Sequence, residues 1–288
     1  KEEENPYVKA WWEWWPEVRK TLSILRITGG EPLLQQSTWK LLDNLSKYPL
    51  PDLEINVNSN LGVKPILVDR LCKYVKDFEE NDKIKRFKLF TSLDTWGPKA
   101  EYIRFGLDLD VWEKNFHHYL NTTNANITFM MTFNILAVSS FKTILQKILE
   151  WRQMYPDVTN GASQLHRVRF DTPYLKEPLQ YDMNILPKNQ FMHYMNDTLA
   201  FMKDNVVKGD PTKFSDLEYW KFKRVVDYMN QTNYSKERLL EGRSDFYNWF
   251  TELDRRRGTN FDETFPEYRE FKDECRLISE AKKAKSTS

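Results

Sequence analysis

Five short clusters of small and polar residues each close an apolar run. They are Thr28-Gly29-Gly30-Glu31-Pro32, Asn58-Ser59-Asn60-Leu61-Gly62, Thr91-Ser92-Leu93-Asp94, Thr132-Phe133-Asn134 and Arg169-Phe170-Asp171-Thr172-Pro173. Turn-forming residues are expected wherever a strand ends. Repetition at every strand end describes a polar rim over an apolar interior, which is the geometry of a binding site. The first cluster says most. Paired glycines let backbone approach a ligand closely, and the following proline fixes the exit and removes one donor. The exposed carbonyls suit an ammonium group; the same turn could also serve as a phosphate nest. No Lys-Ser or Lys-Thr follows, so the turn is not a P-loop, and it lacks the Gly-x-Gly-x-x-Gly of a dinucleotide site. Glu31 and Asp94 could instead do acid–base work in an unrelated α/β barrel enzyme.

The elements that must hold these clusters alternate. A helical pattern over 6–20 leads to a strand Leu22–Thr28. A helix capped by Ser37 runs until Pro49 and Pro51, then a strand forms over Leu53–Val57. A helix over 64–79 precedes a strand Arg86–Ser92, and a helical stretch over 98–121 precedes a strand Ile127–Phe133. A helix over 140–154 and a strand Leu165–Phe170 complete the series. Strand–helix repetition predicts a parallel sheet with helices outside, either doubly wound or a (β/α) barrel, with ligands at the C-terminal strand ends. After Pro187 the pattern is helical only, over 188–206, 215–231, 235–254 and 264–284. The expected division is therefore an α/β region 1–185 and a helical region 186–288.

Composition excludes several classes. Lys and Arg number 43 against 42 Asp and Glu, a net charge of +1, so no basic field points to nucleic acid. No apolar run is long enough to span a membrane, and Lys-Glu-Glu-Glu-Asn is no signal peptide. Most of the ten Trp are expected in core or groove packing. Cys72 and Cys275 are too few and too far apart for a disulfide framework, which suits a reducing, cytoplasmic setting. Cys72 reads as a core residue in a helix. His117, His118, His166 and His193 lack metal-ligand spacing. The tail 276–288, with four basic residues and one acid, reads as a solvated end.

The strand ending in Thr28-Gly29-Gly30-Glu31-Pro32-Leu33-Leu34 resembles that of radical S-adenosylmethionine (SAM) enzymes. The order of the later clusters is similar as well. Asn58-Ser59-Asn60-Leu61-Gly62 looks like the family's Thr-Asn-Gly-type element, Ser92-Leu93-Asp94 like its Ser-Leu/Ile-Asp element, and Tyr102-Ile103-Arg104-Phe105-Gly106 like its Tyr-Ile-Arg-x-Gly stretch. Leu253–Phe261 with Phe265-Pro266-Glu267 looks like the C-terminus of twitch domain-containing members. The resemblance covers residues 7–185 and implies a partial (β/α) TIM-like barrel. It implies SAM contacts from Gly29, Gly30, Glu31, Pro32, Asn58, Asn60, Ser92, Asp94, Arg104 and Asn134. The glycine turn would receive the methionyl ammonium and Arg104 the carboxylate, unless Arg104 merely pairs with Glu101. The implied chemistry is reductive cleavage of SAM at a 4Fe–4S cluster, giving a 5′-deoxyadenosyl radical that acts on a peptide or protein substrate. A reductant for the cluster is implied too.

The chain departs from that pattern in one respect. The Cys-x-x-x-Cys-x-x-Cys loop that would hold the cluster is not in the sequence. Because the chain opens on Lys1, the expectation is that the first barrel strand and the cysteine loop lie upstream. Such a truncated barrel leaves Leu22–Thr28 with an unpaired edge and a tendency to self-associate. The alternative is a cluster-less pseudoenzyme that binds SAM or a peptide.

Overall fold

The computed structural model describes residues 5–156 and 166–286, so residue 165 of the last expected strand lies outside it. The protein is α/β. Strands β1 (Ile24–Ile27), β2 (Leu50–Asn58), β3 (Ile84–Thr91), β4 (Asn126–Met130) and β5 (Val168–Asp171) form one sheet in the order β1-β2-β3-β4-β5. The registered pairs β1–β2, β2–β3 and β3–β4 are parallel. A closed barrel is not formed by the described residues. Among the described residues β1 is an edge strand, with Ile24 57% exposed.

Helices α1 (Pro6–Val18), α2 (Gln36–Lys47), α3 (Pro65–Glu80), α4 (Pro98–Ile103), α5 (Leu109–Thr122) and α6 (Phe141–Met154) alternate with the strands. Two local expectations need correction. The helical stretch over 98–121 is two helices, because Gly106 takes φ +88° and Asp108 then caps α5 by accepting the Val111 N–H at 3.0 Å. Ser37 is not the cap of α2. A 3₁₀ turn over Pro32–Leu34 feeds the helix two residues earlier, and Gln35 takes the cap position.

The chain packs as two compact units, the first comprising Lys1–Ser92, Asp108–Phe129 and Tyr155–Arg169. Within it the pleat separates two unlike faces. Register puts Leu25, Ile55 and Phe87 on one row, Ile27, Val57, Leu89 and Ile127 on the next, and Thr91 with Phe129 on a third. Helix α5 packs on this face, with Trp112 and Phe116 against Phe129 at 5.7 and 5.9 Å. Ile55, Val57, Leu89, Ile127 and Phe129 are fully buried, each contributing roughly 1.5–3 kcal/mol. The opposite face carries Arg26, Asn56 and Lys88 on one row, Asn58 and Phe90 on the next, and Glu54 and Arg86 below. Sheets covered by helices on both sides are apolar on both; this one is not.

The second unit comprises Leu93–Leu107, Met130–Met154 and Phe170–Ser288. The helical stretches expected after Pro187 form α7 (Lys188–Asp204), α8 (Asp216–Gln231), α9 (Lys236–Arg257) and α11 (Arg269–Ser286), with the short α10 (Phe261–Thr264) between the last two. Gly258, in the left-handed conformation at φ +66°, ends α9. Phe246, Phe250, Phe261, Phe265, Tyr268 and Phe271 form an aromatic core, each at most 1% exposed. The tryptophans follow expectation only in part: Trp15, Trp39, Trp112 and Trp151 are buried, whereas Trp14, Trp220 and Trp249 are exposed. Among the described residues, no helix is long and apolar enough to cross a membrane.

Candidate functional site

The glycine turn sits at the C-terminal end of β1. Thr28, Gly29 and Gly30 are exposed. Gly29 takes φ +117°, which L side chains avoid, so glycine is required there for the backbone path. At Gly30, as at Gly29, a Cβ would meet nothing within 4 Å, but no positive φ is imposed there. The space beside Gly30 is therefore open to a ligand.

Glu31 is not a free acid. Its carboxylate is buried, with 8% exposure, and accepts the Leu33 N–H at 3.1 Å and the Asn60 N–H at 2.8 Å. The first bond caps the 3₁₀ turn that starts at buried Pro32. The second couples the turn after β1 to the turn after β2. Trp39 fastens the same 3₁₀ turn by donating Nε1–H to the Leu33 carbonyl at 3.1 Å. With both oxygens engaged, the acid–base role considered for Glu31 loses support.

The turn after β2 is equally well held. Ser59 donates its N–H to the Phe90 carbonyl at 2.8 Å, and its Oγ accepts from Leu61 N at 3.1 Å. Leu61 takes φ +55°, stabilised by Asn115, whose Nδ2 donates to the carbonyls of Leu61 and Val63 at 2.8 Å each. Asn60 accepts the Gly62 N–H at 2.8 Å, and its side chain is exposed. Asn58 accepts from Arg26 Nε at 3.1 Å. The first unit thus brings together Gly29, Gly30, Glu31, Pro32 and Asn60 through the Glu31 carboxylate, with Asn58 beside them on β2. Ser92, half-buried, ends the first unit's share of that chain segment.

Within the second unit, Asp94, Arg104 and Asn134 gather around Thr132. Asp94, 3% exposed, accepts from Arg104 Nη2 at 2.9 Å and from the Thr132 N–H at 2.9 Å. Burial pushes its carboxyl above the ordinary aspartate value, against the opposing pull of Arg104 and the Thr132 N–H. Arg104 thus pairs with Asp94, a partner other than the Glu101 of the alternative reading, and its Nε is buried without an acceptor among the described residues. Asn134 is buried and spans its own turn, donating to the Thr132 carbonyl at 2.9 Å and accepting from Leu136 N at 3.0 Å.

The residues present do not fit an iron–sulfur cluster. Cys72, on α3, is fully buried, and burial pushes its thiol up to about 12, with Asp69 adding to the rise. Cys275, on α11 in the other unit, is buried too, and its thiol lies above the ordinary value. Neither is a ready thiolate ligand. Among the described residues no group of three His, Cys, Asp or Glu could hold a metal. His117 instead shares a 2.7 Å hydrogen bond with Tyr155, and His118 lies 3.4 Å from Asp69.

Sequence reasoning missed the polar face of the sheet. Its signal was available: Arg26, then Glu54-x-Asn56-x-Asn58, then Arg86-x-Lys88, each at the two-residue period of a strand. Comparison with protein-family models, with curated proteins and with solved structures finds no match to this chain.

Proposed function

We propose that the turns after β1 and β2 hold S-adenosylmethionine, and that the chain is part of a radical SAM enzyme acting on a peptide or protein substrate. The observation that carries the reading is the exposed Gly29–Gly30 pair with open space beside Gly30, tied through Glu31 to Asn60. In this reading the glycine-turn carbonyls take the methionyl ammonium, and Asn58 and Asn60 offer amide groups to the rest of the ligand. The radical chemistry would be supplied by SAM with an electron from a cluster that Cys72 and Cys275 do not hold; this chain's residues would bind and orient SAM.

Two features of the fold support a partial (β/α) barrel as the scaffold. The strand order runs sequentially, with none of the reversal that makes a doubly wound sheet. Right-handed crossovers in sequential order put all the helices on one side. The other side is then left to polar residues, as Arg26, Asn56, Asn58 and Lys88 are here. The likeness of Leu253–Phe261 to twitch domain-containing proteins belongs to the same proposal. Two unpaired, buried thiols suit a cytoplasmic setting.

The lack of cluster ligands among Cys72 and Cys275 favours a second reading, a SAM-binding module with no cluster. In both readings this chain by itself turns nothing over. Calorimetric titration with SAM tests what they share: saturable binding supports it and its absence refutes it. Iron analysis of the intact protein separates them, since stoichiometric 4Fe–4S belongs only to the enzyme.

A further inference from the structure

The polar face of the sheet holds an arginine prepared for an anion. Arg26 stacks its guanidinium on the Phe90 ring, 4.6 Å from the centroid. Its Nε is occupied by Asn58 Oδ1 at 3.1 Å. Both contacts fix the plane and direction of the fork. The two Nη groups meet no acceptor among the described residues, and Arg26 is exposed. A fork held in this way matches the two oxygens of a carboxylate.

Asn56 is the direct neighbour of Arg26 across the β1–β2 register. It is 92% buried, being 8% exposed, yet its Oδ1 has no partner among the described residues. Glu54, whose carboxyl Asn56 helps to lower, stands two residues away on the same face of β2. Glu54 is in turn neutralised by Lys88 at 2.7 Å, so Lys88 is not available to a ligand. An orphaned buried acceptor costs free energy until it meets a donor. It would repel a second oxyanion and welcome an N–H.

We propose that Arg26 and Asn56 together receive a carboxylate that carries an adjacent N–H donor, the pattern of an amino acid or a peptide chain end. The carboxylate lies on the Arg26 fork and the N–H on Asn56 Oδ1. A phosphate ester fits less well, since one unpaired guanidinium faces it and the neighbouring Oδ1 opposes its oxygens. This deepens the proposed function by naming the chemical class that the site takes, and rests on that reading for the reaction but not for binding. The same chemistry has two sources: the methionyl end of SAM, and the carboxyl end of a peptide substrate.

The test follows the Arg26 Nε–H and Asn56 side-chain amide signals by NMR in the isotope-labelled chain. N-acetylglycine is the probe, and N-acetylglycinamide, which lacks the carboxylate, is its control. Both signals should move with N-acetylglycine and neither with the amide. Arg26→Gln should weaken binding about 10- to 100-fold, the range for one charge-assisted pair. Arg26→Lys keeps the charge without the fork and should fall between. An equal response to the amide, or unchanged binding in Arg26→Gln, overturns the proposal. Repeating the titration with SAM present assigns the source. Displacement of N-acetylglycine by SAM gives the site to the methionyl end, and simultaneous binding gives it to a peptide end. Gly30→Val leaves the N-acetylglycine response intact while blocking SAM, so failure of the SAM reading is distinguishable from failure of this one.

Discussion

The Glu31 carboxylate accepts the Asn60 backbone N–H at 2.8 Å, and through that bond two loops from different strands share one anchor. The same carboxylate holds Leu33 N at 3.1 Å. Glu31→Ala should therefore destabilise the fold by about 1–3 kcal/mol, the cost of leaving polar groups unpaired. It should weaken SAM binding by about tenfold or more, although no ligand contact need be lost. Glu31→Gln retains one acceptor and should recover part of both effects. Urea denaturation and calorimetry on the two variants check this; an Ala variant as stable as the parent would show that the bond does not couple the loops.

Glu54 gives a prediction with a definite sign. Burial alone raises its carboxyl, but Lys88, Asn56 and Arg86 outweigh burial and bring it below the ordinary value of 4.5. A lowered folded value means that Glu54 adds stability above the unfolded value and loses it as pH falls through the folded one. In Lys88→Met the main opposing group is gone, so the carboxyl should rise and the stability that Glu54 adds above its unfolded value should shrink. Carbon-detected NMR titration of the Glu54 carboxyl measures both midpoints. A midpoint that stays put in Lys88→Met contradicts the assignment.

Much of this was legible in the sequence, for reasons that particular residues show. Strand positions followed from apolar runs ending in Gly30, Asn58 and Asp94, because a buried strand and its turn both leave strong marks. The helical second half was legible from its period. The break at Gly106 was hidden, since a glycine inside an apolar period reads as a tolerated interruption until its φ of +88° is known. The partners of Arg104 were hidden as well. Its nearest charged neighbour in sequence is Glu101, but Asp94 is brought to it by a turn, and pairings of that kind have no local pattern. Arg26 was overlooked because a single charged residue in a short strand is ordinary; only the register beside Asn56 and the ring of Phe90 give it meaning.

Gly242, in the middle of α9, is a packing requirement. A Cβ there would lie 2.8 Å from both Ile185 Cγ2 and Leu179 Cγ. Both side chains are buried, so neither can swing away freely. Alanine gains about 0.5–1 kcal/mol as a helix former but should lose about 1–3 kcal/mol to overpacking. Gly242→Ala is expected to lower the denaturation midpoint; an unchanged or raised midpoint would show that α9 shifts without cost.

Arg152 and Glu218 form a buried pair at 2.6 Å, with side-chain exposures of 1% and 9%. Removing one partner strands a charge, so Arg152→Met should cost roughly 3–5 kcal/mol. Glu218 also caps α8 by accepting the Ser215 N–H at 2.9 Å, a role that glutamine can keep. Arg152→Met with Glu218→Gln should therefore cost less than Arg152→Met alone. Chemical denaturation of the single and double variants decides, and a double variant that is the less stable of the two would refute the stranded-charge account.

The open space beside Gly30 offers the most direct test of the SAM reading, because a Cβ there meets no protein atom within 4 Å and a side chain grown from it enters the proposed ligand position. Calorimetric titration of SAM into the parent chain and into Gly30→Val, with thermal midpoints measured alongside, gives the comparison. Saturable binding by the parent, with binding at least about 100-fold weaker in Gly30→Val at an unchanged midpoint, is the predicted result. Equal affinity in the two proteins, or no binding by the parent, would contradict it.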